Sequence, residues 1–201
     1  MRPANEALVV IDVQNDFCPG GALAVSRGDE IVPGINALMD EFRAVILTQD
    51  WHPAGHSSFV TSHWGRRPYE EVEMPYGPQV LWPDHCVQGT PGADFHPALR
   101  TDADLILRKG FRRDVDSYSA FFENDHRTPT GLGGYLRERG IDAITLVGLA
   151  TDFCVNYSAR DGARLGLRVT VREDLTRAID LSGSLAAAHA DWARAGVTVT
   201  K

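Results

Sequence analysis

From residue 7 to residue 13 every position is apolar except Asp12, which stands near the end of the run. A strand with no polar face belongs inside a parallel sheet whose two sides are both covered. Residues 44–48 repeat the pattern, and shorter runs at 105–108, 143–147, 168–171 and 197–200 predict four more strands. Between strands the period changes. Ile31, Ile35, Leu38, Met39 and Phe42 recur at helical spacing, with Asp29 as the expected N-cap and Pro33 in the first turn. A further helix ends near Gly140, residues 154–165 read as the next, and the alanine-rich stretch 184–195 as the last. This βαβα alternation predicts an α/β fold, a three-layer doubly wound and mostly parallel sheet of about six strands with right-handed crossovers.

The rhythm lapses between about 50 and 100, where Pro, Gly, His and Trp dominate and no period persists. A loop that long in a compact domain is functional or disordered, and Trp51, Trp64 and Trp82 favour order. At 201 residues the chain suits one domain over 1–201, large enough to bury a continuous core without disulfides. Twenty Lys and Arg against 27 Asp and Glu give a net charge of -7 without a charged block, which argues against nucleic acid as a partner. No run approaches the roughly 18 apolar residues of a membrane span and no signal-peptide pattern is present, so neither a membrane nor a secretory route is expected. A cytoplasmic protein is the expectation.

Ligands of open α/β sheets bind beyond the carboxyl ends of the strands. Four reactive side chains fall there: Asp12 after the first strand, Asp50 after the second, Lys109 after the third and Cys154 past the fourth. Cys154 follows a strand-to-helix turn, where amides and the helix dipole favour a thiolate, and a nearby Lys109 ammonium would lower the thiol further. Asp12 could take the thiol proton and return it to a leaving amine. Taken singly, a core cysteine, a surface lysine and a turn-capping acid would be ordinary; their convergence on one sheet edge favours chemistry. Cys18, in a Pro-Gly-Gly loop, and Cys86, in the long loop, lack that context and read as buried structural thiols.

The long loop opens on DWHPAGH, Asp50 to His56, and later carries His85. One carboxylate with two or three imidazoles suits a divalent transition metal, zinc first, with iron or manganese as alternatives. Asp50, His52 and His85 form the expected trio, leaving coordination positions open for water or substrate. His56 reads either as a fourth ligand or as a residue behind the metal's own ligands. His63, His96, His126 and His189 lack such company and are expected to face solvent. The glycine cluster GLGG at 131–134 lacks dinucleotide-binding spacing and follows no clear strand.

Six segments together resemble the nicotinamidases of the isochorismatase-like cysteine hydrolase superfamily, over nearly the whole chain. They are DVQNDFC from Asp12 with the following Pro-Gly-Gly, QDWHP from Gln49, WPDHC from Trp82, KG at Lys109, DSYSAF from Asp116 and GLATDFC ending at Cys154. The resemblance implies an amidase acting on a linear amide, converting nicotinamide to nicotinate and ammonia for NAD salvage. It implies a catalytic Asp12, Lys109 and Cys154, and a cis peptide between Leu149 and Ala150. The amides of Ala150 and Cys154 would face the oxyanion. Asp50, His52 and His85 would hold a metal that binds the pyridine nitrogen, and Phe17, Leu23, Trp82 and Tyr118 would wall the pocket. Self-association is also suggested.

Three other readings compete. An amidase of the same superfamily acting on a carbamoyl or ureido compound has no evident use for the metal loop. A metal-stabilised binding module would favour four protein ligands, commonly cysteines. A flavodoxin-like redox carrier has only the fold in its favour.

Overall fold

The computed structural model describes residues 2–201. Six parallel strands form its central sheet: β1 (Glu6–Ile11), β2 (Ala44–Asp50), β5 (Leu105–Lys109), β6 (Ala143–Leu149), β7 (Arg168–Arg177) and β8 (Thr198–Thr200). Their spatial order is β5-β2-β1-β6-β7-β8. The chain therefore builds outward from β1 in one direction, then returns and builds outward from β6 in the other. With right-handed crossovers this places α1 (Val32–Met39) on one face and α2 (Leu132–Glu138), α3 (Asn156–Arg164) and α4 (Ser184–Ala195) on the other. Central β1, β2 and β6 are buried along nearly their whole length, which is why their sequences show no polar face.

All six expected strands form, with shifted ends. β2 runs on to Asp50, β5 includes Lys109, β6 reaches Leu149 and β7 continues to Arg177. Asp29 does not cap α1: it lies inside a single 3-10 turn, Gly28–Ile31, which leads directly into the helix, and Pro33 occupies the first helical turn where its missing N–H is harmless. The expected helix at 154–165 starts differently, because a π-helical turn, Thr151–Val155, carries Cys154 before α3 begins. The long loop is ordered and contains an antiparallel hairpin, β3 (Glu71–Met74) and β4 (Gly77–Val80). Trp64 does not contribute to that order, being fully exposed. His63 and His96 are half-buried rather than solvent-facing, whereas His126 and His189 are exposed.

Gly148 of β6 pairs with Ile11 of β1. Its φ is +109°, and a Cβ there would lie 2.1 Å from the Ile11 carbonyl oxygen. Gly148→Ala is therefore expected to cost about 2–4 kcal/mol through clash and left-handed backbone. A thermal melt checks this; a fall of roughly 5–15 °C is expected.

Candidate active site

The order reversal between β1 and β6 opens a crevice at the strand carboxyl ends, and the functional side chains gather there. Asp12 immediately follows β1 with φ +47°. Its backbone N–H donates to Thr48 Oγ1 at 3.1 Å, and the Thr48 hydroxyl donates to Asp12 Oδ1 at 2.6 Å. Lys109 ends β5 and is buried, its Nζ lying 2.8 Å from Asp12 Oδ2, 2.9 Å from Asp50 Oδ1 and 2.9 Å from the Ser117 carbonyl. The same ammonium stands 3.5 Å from Cys154 Sγ. Burial alone would lower the Lys109 pKa, but Asp12 and Asp50 outweigh it and hold the side chain charged.

Opposing influences act on the Cys154 thiol. Burial pushes this thiol well above its ordinary value, and Asp12 and Asp50 add to the effect while Lys109 opposes it. The ammonium cannot prevail because two carboxylates already share its charge. The Asp12 carboxylate stands within hydrogen-bonding reach of Cys154, and Asp12 is itself raised, first by burial and against Lys109's opposition, so it is a better proton acceptor than a surface aspartate.

Asp50, His52 and His85 form a second buried group, their ligand atoms within 4.8 Å of one another. His52 Nδ1–H donates to the Gly110 carbonyl at 2.9 Å and His85 Nδ1–H to the Pro83 carbonyl at 2.8 Å. Each ring thereby turns Nε2 toward Asp50 Oδ2, at 3.2 and 3.5 Å. His52 Nε2 is buried and makes no hydrogen bond. Two imidazoles fixed by carbonyls at one nitrogen, with the other aimed at a shared carboxylate, match what a transition metal needs. Burial lowers the His52 pKa, yet Asp50 and then Asp116 overcome it and lift it to about 9, so the field at this spot favours a cation. Gly110 makes the arrangement possible, since a Cβ there would lie 2.5 Å from the His52 ring.

His56 does not join this trio. It groups instead with His52 and Asp116. Its Nδ1 accepts from the Ser58 N–H and hydroxyl, and its Nε2–H donates to the Arg112 carbonyl at 2.7 Å. Both nitrogens are occupied by protein, and burial lowers the ring's pKa, keeping it a neutral structural post.

A narrow pocket lies between the two groups. Phe17, Leu23, Trp82 and Tyr118 line it, together with Asp50, His85, Ala150 and Cys154. The Leu149–Ala150 peptide is cis. Sequence reasoning missed three lining residues, Asp116, Phe153 and Ile179. It also missed Thr48, Gln14, whose side chain holds both the N–H and carbonyl of Asp50, and Asp152, whose carboxylate accepts the Ile179 and Asp180 amides. Gln14, Asp116, Asp152 and Phe153 stand inside motifs already singled out; Thr48 and Ile179 carry no local signal.

The isochorismatase domain model matches residues 6–201. A nicotinamidase from Acinetobacter baylyi is 54% identical over 199 residues, which is 98% of this chain and 93% of that one. Among solved structures, an Acinetobacter baumanii nicotinamidase/pyrazinamidase superposes with a TM-score of 0.99 at 53% identity, covering 100% of this chain and 98% of the other. A Pyrococcus horikoshii pyrazinamidase in complex with zinc gives 0.79 at 32% identity, covering 98% and 99%. With the sheet order, the strand-end residues and these likenesses in agreement over nearly all of its length, the chain belongs to the isochorismatase family.

Proposed function

We propose that this protein hydrolyses nicotinamide to nicotinate and ammonia, with Cys154 as nucleophile. The observation that carries the reading is the placing of the Cys154 thiol 3.5 Å from a lysine that is itself 2.8 Å from Asp12, on a cavity that also holds Asp50 and His85. Cys154 passes its proton to Asp12 as the sulfur attacks the carboxamide carbon, and the Ala150 and Cys154 amides donate to the oxyanion. Lys109 steadies the negative charge as it moves between carboxylate and sulfur. Asp12 then protonates the departing ammonia, leaving a thioester on Cys154. Water deprotonated by Asp12 attacks the thioester, releasing nicotinate and restoring the thiol. Phe17, Leu23, Trp82 and Tyr118 sandwich the flat ring.

Asp50, His52 and His85 would hold a divalent metal, zinc first, which when bound supplies a Lewis-acid seat for the pyridine nitrogen. Seating that atom fixes the carboxamide against Cys154, an orientation effect able to supply several kcal/mol. Benzamide, isosteric but without the ring nitrogen, is expected to turn over about a hundredfold more slowly or worse. Ammonia release from nicotinamide and benzamide, beside a panel of carbamoyl and ureido compounds, tests the reading. Equal rates on the two rings would remove the orienting role, and preference for a ureido compound would move the enzyme to another branch of its family.

A further inference from the structure

Asp116 is buried, lines the cavity and has no part in the hydrolysis described above. Its Oδ1 accepts the Ser117 N–H at 2.8 Å, and its Oδ2 accepts the Gln79 side-chain amide at 3.0 Å. Both donors are neutral. The group within its reach that attracts positive charge is His52, whose Nε2 lies 3.8 Å from Oδ1 and makes no hydrogen bond. Asp12, Asp50 and Asp116 together bring three carboxylates to this buried centre against the single ammonium of Lys109. With His52 and His85 neutral, as metal ligands must be, the excess is two negative charges, and burying it uncompensated is expensive. A divalent cation cancels it, whereas without Asp116 one positive charge would suffice.

Asp116 groups with His52 and His56, which could themselves hold an ion, and not with Asp50 and His85, so toward the Asp50, His52 and His85 site it stands behind the ligands. The geometry points to Asp116 as a positioning residue of the metal site, supplying the second uncompensated charge that holds a divalent ion at Asp50, His52 and His85. This rests on the reading of those three residues as metal ligands. Groups standing behind metal ligands typically change metal affinity by about 10 to 100-fold.

Zinc affinity is the measurement, made by titrating chelator-stripped protein against a competing chromophoric chelator. Asp116→Asn is expected to weaken zinc at least roughly tenfold, and Asp116→Glu to restore most of the loss because the charge returns. Gln79→Leu removes the same hydrogen bond from its other end and leaves the charge, so it is expected to bind zinc as the wild type does. Circular dichroism of the stripped proteins reports folding, and Asp116→Ser replaces Asp116→Asn if the latter does not fold. Wild-type affinity in a folded Asp116→Asn or Asp116→Ser protein overturns the inference alone. So do equal losses in Asp116→Asn and Gln79→Leu, which would make Asp116 merely an anchor for the hairpin. A wild-type protein that takes up no zinc overturns the metal reading as well.

Discussion

Cys154→Ala is expected to abolish nicotinamide hydrolysis while leaving the thermal melt close to that of the wild type. The attacking atom is removed, and no other thiol can take over. Cys18 and Cys86 are both buried and do not line the pocket that holds Cys154; burial and Asp29 push Cys18 up to about 11, and burial with Asp50 pushes Cys86 well above its ordinary value. The fold should persist because alanine is a smaller apolar residue and the turn is held by other groups, including the Ser158 hydroxyl donating to the Cys154 carbonyl at 2.6 Å. Nicotinamide binding should survive, since the ring's contacts lie elsewhere in the cavity. Mass spectrometry offers the direct check. An iodoacetamide adduct on Cys18 or Cys86 that destroys activity while Cys154 stays unlabelled would sink the assignment.

Asp12→Asn is expected to lower turnover by about 10² to 10⁴-fold, the usual worth of general acid-base catalysis. Burial pushes the Cys154 thiol up, and the substitution removes the carboxylate within its reach that would take its proton. Lys109 cannot substitute, being held as an ammonium by its neighbours. A parallel loss of stability is also expected, because Lys109 is buried and gives up one of its two carboxylates. Asp50 and the Ser117 carbonyl remain to it, so the loss should stop short of unfolding. Turnover and melting temperature measured together separate the two effects. A folded Asp12→Asn protein with near-normal turnover at neutral pH would reassign the proton shuttle.

The strands were legible because burial on both faces leaves an unbroken apolar run, as in residues 7–13, that needs no knowledge of the neighbours. Their ends were less so. β7 continues to Arg177 through a polar stretch that is extended only because β6 pairs with it there. The hairpin of β3 and β4 escaped notice for a related reason: it is short, carries Pro78 and lies outside the main sheet, so neither long apolar runs nor strict alternation mark it.

Within the site, the sequence alone determined which chemistry-bearing residues stand at strand ends, Asp12, Asp50, Lys109 and Cys154, and which histidines lie in the loop nearby. Position along a strand is a local property, and local patterns record it. Only the tertiary structure decided how those groups behave. Lys109 is shared between Asp12 and Asp50, while burial pushes the Cys154 thiol up. Gly110 and Pro83 carbonyls turn His52 and His85 toward Asp50, while Ser58 and Arg112 occupy His56 completely. Thr48 braces Asp12 from 36 residues away, and Gln79 reaches Asp116 across 37. Protonation, tautomer and metal fit are sums over charges and hydrogen-bond partners drawn from separate segments, and those sums exist only once the sheet has brought the segments together.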